Sequence, residues 1–188
     1  MEANGPTMRT VLAASLLVVA LVAAVLIVRI ARSRRRSPLE AAIDDRLADS
    51  MGPETGSHLK HAPRVRRLAV VEKRGAEPVY APQIRIELGT TDAPGMEMVF
   101  EYVASALEAI HPVIEDHDEH VAQYDIEFTF GPDGLLVSGE CRRVTVPVEL
   151  AEKLLEDDRY LAFDLRRDVE RADGDAESVA ALWQPCRS

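Results

Sequence analysis

Hydrophobic positions along the chain follow three patterns, and each predicts a different element. From Val11 to Val28 the pattern is unbroken: "VLAASLLVVALVAAVLIV" holds one hydroxyl and no charge over 18 residues. As a helix that run is about 27 Å long, close to the hydrocarbon thickness of a bilayer. A buried core helix would turn polar residues to one side, and this run has none to turn. A cleaved signal peptide would end a shorter apolar core at a small-residue cleavage site. Here the run is followed by Arg29, Arg32, Arg34, Arg35 and Arg36. These features predict an uncleaved single transmembrane helix over residues 11–31, behind an N-terminal tail of residues 1–10.

The flanks predict orientation. Arg9 and the α-amino group stand before the run, against five arginines after it. By the positive-inside rule the N-terminus lies outside and the C-terminal domain is cytoplasmic, at the cell membrane. The same arginines can hold anionic headgroups, at about 1 kcal/mol each.

A four-residue recurrence comes next. Ser37-Pro38-Leu39-Glu40 has the form of a helix start, and Leu39, Ile43 and Leu47 then share one side. Residues 32–50 are thus a basic collar and juxtamembrane helix. "MGPETGSHLKHAP" has no period and reads as a linker over residues 51–63.

The pattern then alternates between periods of two and of about 3.6 residues. "RVRRLAVVEK" reads as a strand whose basic residues suit a sheet edge, where Arg and Lys discourage pairing with another chain. "PQIRIELG" alternates, with Ile84, Ile86 and Leu88 on one face. Val99, Val103, Ala106, Leu107 and Ile110 form a helical stripe over residues 94–110. "VAQYDIEFTF" turns Tyr124, Ile126, Phe128 and Phe130 inward. "GPDG" closes a hairpin onto "LLVSGECRRVTV", with a bulge expected near Arg142 and Arg143. Pro147 opens a second helix, which ends before Glu156-Asp157-Asp158. "YLAFDLR" alternates as a last strand, with Leu161, Phe163 and Leu165 inward.

The order is strand, helix, strand, strand, helix, strand. It predicts an α+β domain over residues 64–170 with the ferredoxin-like split βαβ (βαββαβ) plait: an antiparallel sheet with two helices on one face. In that plait the third strand lies between the first and second, which brings Arg142 within reach of Glu87 or Glu127. Residues 171–188 form a C-terminal tail with a short helix containing Trp183.

Charge narrows the partners. The chain has 22 basic and 32 acidic residues; without the six arginines and Glu2 that precede Ser37, 16 face 31, a formal −15. The outward sheet positions are charged and carry no aromatic platform. Nucleic acid is therefore excluded as a partner. The two cysteines, Cys141 and Cys186, belong to no CxxC pair and read as free thiols in a reducing compartment.

The densest candidate chemistry is "HPVIEDHDEH", with His111, Asp116, His117, Glu119 and His120. Imidazole and carboxylate suit a divalent ion, and an i, i+3 histidine pair on a helix can share one. The spacing matches no metal signature, and a solvated acidic loop between helix and strand is the preferred account. His58 and His61 flank Lys60, which would repel a cation. No phosphate-binding loop, dinucleotide fingerprint or nucleophile elbow is present, so no enzyme, cofactor or catalytic residue is assigned. The expectation is a binding or assembly module held at the bilayer, whose partner is another membrane or membrane-proximal protein, or a second copy. A membrane-bound metal-dependent sensor or hydrolase built on the His111–His120 segment is the alternative.

Overall fold

The computed structural model describes residues 37–53, 58–132, 139–175 and 177–186. Among them no helix is long and apolar enough to cross a membrane. The apolar run and the arginines from Arg29 to Arg36 lie outside the described residues. The chain from Pro38 onward forms one compact unit.

Helix α1 (Pro38–Ser50) buries Leu39, Ile43 and Leu47, the predicted stripe. It is followed by strands β1 (Arg64–Arg74) and β2 (Glu77–Glu87), helix α2 (Met96–Asp116), and strands β3 (His120–Val121), β4 (Gln123–Phe130) and β5 (Glu140–Pro147). Helices α3 (Val148–Glu156) and α4 (Ala162–Asp173) and strand β6 (Ala181–Pro185) complete the unit. Met51 and Leu59, in the stretch expected to be a linker, are buried in the same core as α1. Leu59 bridges Leu88, and Lys60 N–H donates to the Glu87 carbonyl.

The architecture is α+β, but the sheet is not the predicted plait. Its strands run β1-β2-β4-β5-β6, with β3 beside β2. Strands β2 and β4 are direct parallel neighbours, Ile84 opposite Ile126 and Ile86 opposite Phe128, while β1–β2, β4–β5 and β5–β6 are antiparallel. The helical crossover α2 therefore joins adjacent strands, and β5 lies outside β4 instead of between β2 and β4. Burial of Ile84, Ile86, Tyr124, Ile126 and Phe128 is common to both arrangements; what the plait lacks is its fourth strand, because Ala162–Asp173 is helical and β6 pairs with β5. β1 is an edge strand, as its arginines predicted.

Two further predictions fail at the C-terminal end. "YLAFDLR" is not a strand; helix α4 begins at Ala162 and buries Leu165 and Val169, one turn apart. Ion pairs at helical spacing, Arg166–Glu170, Arg167–Asp164 and Arg171–Asp168, reinforce it. Among the described residues there are four helices, not two. The tail supplies a strand in place of a short helix, and Trp183 lies on Phe128 and Phe130 with ring centroids 5.8 Å away in each case. The expected irregularity near Arg143 occurs only in the pairing with β6, between Arg143 and Thr145; the β4–β5 ladder is unbroken.

The cysteines are not free thiols. Cys141 on β5 and Cys186, just past β6, are joined by a disulfide with their Cα atoms 5.5 Å apart. Antiparallel β5–β6 pairing brings them together: Arg142 faces Pro185, and Cys186 N–H donates to the Cys141 carbonyl. A separation of 45 residues concealed that proximity.

Candidate functional site

The sheet face opposite Ile84, Ile126 and Phe128 and the C-terminal end of α2 both concentrate charge, with opposite results. On the sheet face, Glu127 is only 2% exposed and accepts from both Arg66, at 2.8 and 3.0 Å, and Arg85, at 2.9 Å. Beside it Asp125 accepts from Thr145 Oγ1 at 2.6 Å and lies 3.8 Å from Arg143. Arg64 pairs with Glu87; Arg142, expected to reach Glu87 or Glu127, stands opposite Phe128 on the other face and pairs with Glu140. Burial of a carboxylate demands such partners. This face is an ionic lattice that ties β1, β2, β4 and β5 together, with the buried Nε groups of Arg85 and Arg143 left without a hydrogen-bond partner.

At the end of α2 the charges are left open. Leu107, Ile110 and Ile114 continue the helical stripe past Pro112, so the helix extends to Asp116 where the sequence pattern stopped it at Ile110. His111 lies on the buried side, 6% exposed. Its Nδ1 is 2.6 Å from the Tyr124 hydroxyl, and its Nε2 is 3.4 Å from Glu115. Burial, reinforced by the negative charge of Glu115 and Glu152, pushes the Tyr124 phenol well above its ordinary value. A phenol that keeps its proton can donate it to Nδ1, which leaves Nε2–H facing the carboxylate.

Above this pair opens a cleft of about 520 Å³. Helix α2 contributes His111, Ile114 and Glu115, and the turn after it contributes Asp118 and Glu119. His120 and Val121 come from β3, Tyr124 from β4, Val148, Glu149 and Glu152 from α3, and Arg74 from the end of β1. Asp118 adopts the left-handed conformation, φ 55°, that Asp tolerates better than most residues, and so reverses the chain from α2 into β3. Five carboxylates thus face one guanidinium around the cleft. The last turn of α2 carries no basic residue, so its acids stand at the negative end of the helix dipole without compensation on their own helix.

The structure places three of the five sequence-predicted ligands, His111, Glu119 and His120, on the wall of this cleft, and separates the rings by their bonds. His117 caps α2 and its Nδ1 bonds the Val113 carbonyl; His120 faces Glu77 at 3.3 Å. The helix stops at Asp116, so His117 and His120 do not share a helical face. Among the described residues the set of potential ligand atoms that converges is Glu127, Cys141 and Cys186. Its sulfurs are bonded to each other and its carboxylate is held by two arginines.

Tyr124, Glu115, Glu149 and Glu152 escaped the sequence reading. Tyr124 alternates with core residues and so resembles one in the sequence; the available signal is that a buried tyrosine hydroxyl needs a polar partner. No protein-family model, curated protein or solved structure matches the chain.

Proposed function

We propose that the chain is a single-pass membrane-anchored binding and assembly module, with no catalysis of its own, whose acidic cleft receives a cationic group. The group is the ammonium or guanidinium of a partner side chain or of a small ligand. One observation carries this reading: the end of α2 sets Glu115 and Glu119 opposite Glu149 and Glu152 of α3, around a helix terminus of the same sign. A bound cation relieves that repulsion, and the buried His111–Tyr124 pair gives the cleft a fixed floor. The apolar run over residues 11–31 supports a tether, which raises the concentration of the module near membrane partners. The metal-dependent alternative finds no support in the histidine rings, which bond three different neighbours.

Two observations bear on orientation. The five arginines after the apolar run support a cytoplasmic domain. The Cys141–Cys186 bond favours the reverse, since disulfides persist where the environment is oxidising. A C-terminal alkaline phosphatase fusion, active only outside the cytoplasm, separates them: an inactive fusion upholds the arginines, and an active one places the domain outside.

Cation binding is tested on the full chain in zwitterionic-lipid nanodiscs by calorimetric titration with spermidine. Saturable binding is expected, at least tenfold weaker in the Glu149→Gln/Glu152→Gln variant and weaker again in high salt. Absence of binding, or equal binding by the variant, overturns the reading.

A further inference from the structure

The two large side chains that alternation turned inward, Leu161 and Phe163, are among the most exposed in the unit, at 62% and 71%. They sit at the start of α4, where the helix buries Leu165 and Val169 and leaves the other side open. Together with Ala162 and Arg166 they form one wall of a groove of about 520 Å³. The facing wall is the first half of α2, with Phe100 at the floor, 1% exposed, and Glu97 and Glu101 on the rim.

An exposed Phe at the edge of a groove departs from what folding alone favours, because burial of such a ring is stabilising. The rim gives the groove a sign. Glu97 and Glu101 are exposed, one helical turn apart, and neither forms an ion pair among the described residues. Arg166, the cation on the other wall, is already bound to Glu170 at 2.7 Å. The open charge at the rim is therefore negative, on a domain that is acidic as a whole.

We propose that this groove docks an amphipathic helix of a partner protein, its apolar side chains against Leu161 and Phe163 and a Lys or Arg on Glu97 and Glu101. Two helices with an apolar trough between them suit a third helix laid along it, with anchors at helical spacing. A second copy of this domain fits less well, since its own excess of acid would meet the same acidic rim. The site is separate from the α2–α3 cleft, and either can fail without the other.

The test replaces Phe163 with the photoreactive p-benzoylphenylalanine in the full-length chain, expressed in its own membrane, and sequences the crosslinked peptide. An adduct is expected with another protein, at a segment bearing apolar residues within two helical turns of Lys or Arg. Glu97→Lys/Glu101→Lys in the same chain should reduce it at least tenfold. Phe163→Ser checks the premise: its thermal midpoint should match the parent, since an exposed side chain contributes little to folding. Adducts to lipid, to a second copy or to a segment without basic residues overturn the proposal. So does an absence of adduct, an adduct indifferent to charge reversal, or a marked loss of stability in Phe163→Ser.

Discussion

The indole of Trp183 stacks on the ring of Phe130, with centroids 5.8 Å apart and planes 10° from parallel. Trp183 reaches that position in the left-handed region, φ 53°, which is unfavourable for a bulky residue. The stack and the disulfide three residues later hold β6 against that preference. Reduction, or Cys186→Ser, should release the strand. The expected result is a red shift of tryptophan emission and a loss of stability of up to about 4 kcal/mol for a closed loop of this length. Denaturant unfolding followed by fluorescence, with and without a phosphine reductant, measures both. An unchanged spectrum and midpoint would show that packing alone retains the strand.

Glu127 is the hub of the sheet-face lattice. Glu127→Gln removes the charge that Arg66 and Arg85 share and should cost about 1–3 kcal/mol, since both guanidiniums keep some access to water. Glu87→Gln breaks only the exposed pair with Arg64 and should cost less than about 1 kcal/mol. Urea unfolding of the two variants side by side checks the contrast.

Stability should fall on the alkaline side. Burial, with nearby acids, holds the Tyr124 and Tyr160 phenols above their ordinary value; Tyr160 also bonds Asp168. Above about pH 10 the unfolded chain therefore releases protons that the folded chain retains, and each phenol removes up to about 1.4 kcal/mol per pH unit. Below that pH their contribution is fully present. Tyr124→Phe/Tyr160→Phe should flatten the decline between about pH 10 and 12, and thermal unfolding across that range reads the slope. At neutral pH Tyr124→Phe leaves His111 Nδ1 without its partner and should cost about 1–3 kcal/mol.

Gly139 precedes β5, where a Cβ would stand 2.5 Å from the Phe130 carbonyl oxygen. The obstacle is backbone, so the strand must move. Gly139→Ala should destabilise by more than about 1 kcal/mol through strain where β4 meets β5. A thermal midpoint equal to the parent's would contradict that close approach.

The elements were legible wherever one period ruled alone. Ile84 and Ile86, Tyr124 to Phe130, and the stripe from Val99 to Ile110 all lie where alternation or helical spacing placed them. Two things could not be read locally. Alternation fixes which side chains face the core but not which strand lies alongside, so parallel pairing of β2 with β4 was hidden. In "YLAFDLRRDVERAD" an alternating triplet, Leu161, Phe163 and Leu165, competed with the pair Leu165 and Val169. The longer helical pattern, with its i, i+3 and i, i+4 ion pairs, prevailed. The site was half legible: the acids and histidines of residues 111–120 stood out, but their counterparts Tyr124, Glu149 and Glu152 come from β4 and α3, and only the fold brings them near.

Cation binding in the cleft between α2 and α3 can be followed through the imidazole resonances of the full-length chain during a spermidine titration. His111 and His120 line the cleft, while His58, His61 and His117 stand outside its wall and serve as internal controls. Saturable shifts of His111 and His120, with the other three constant, are the predicted result. Unmoved resonances at His111 and His120, or shifts confined to His58, His61 and His117, would contradict it.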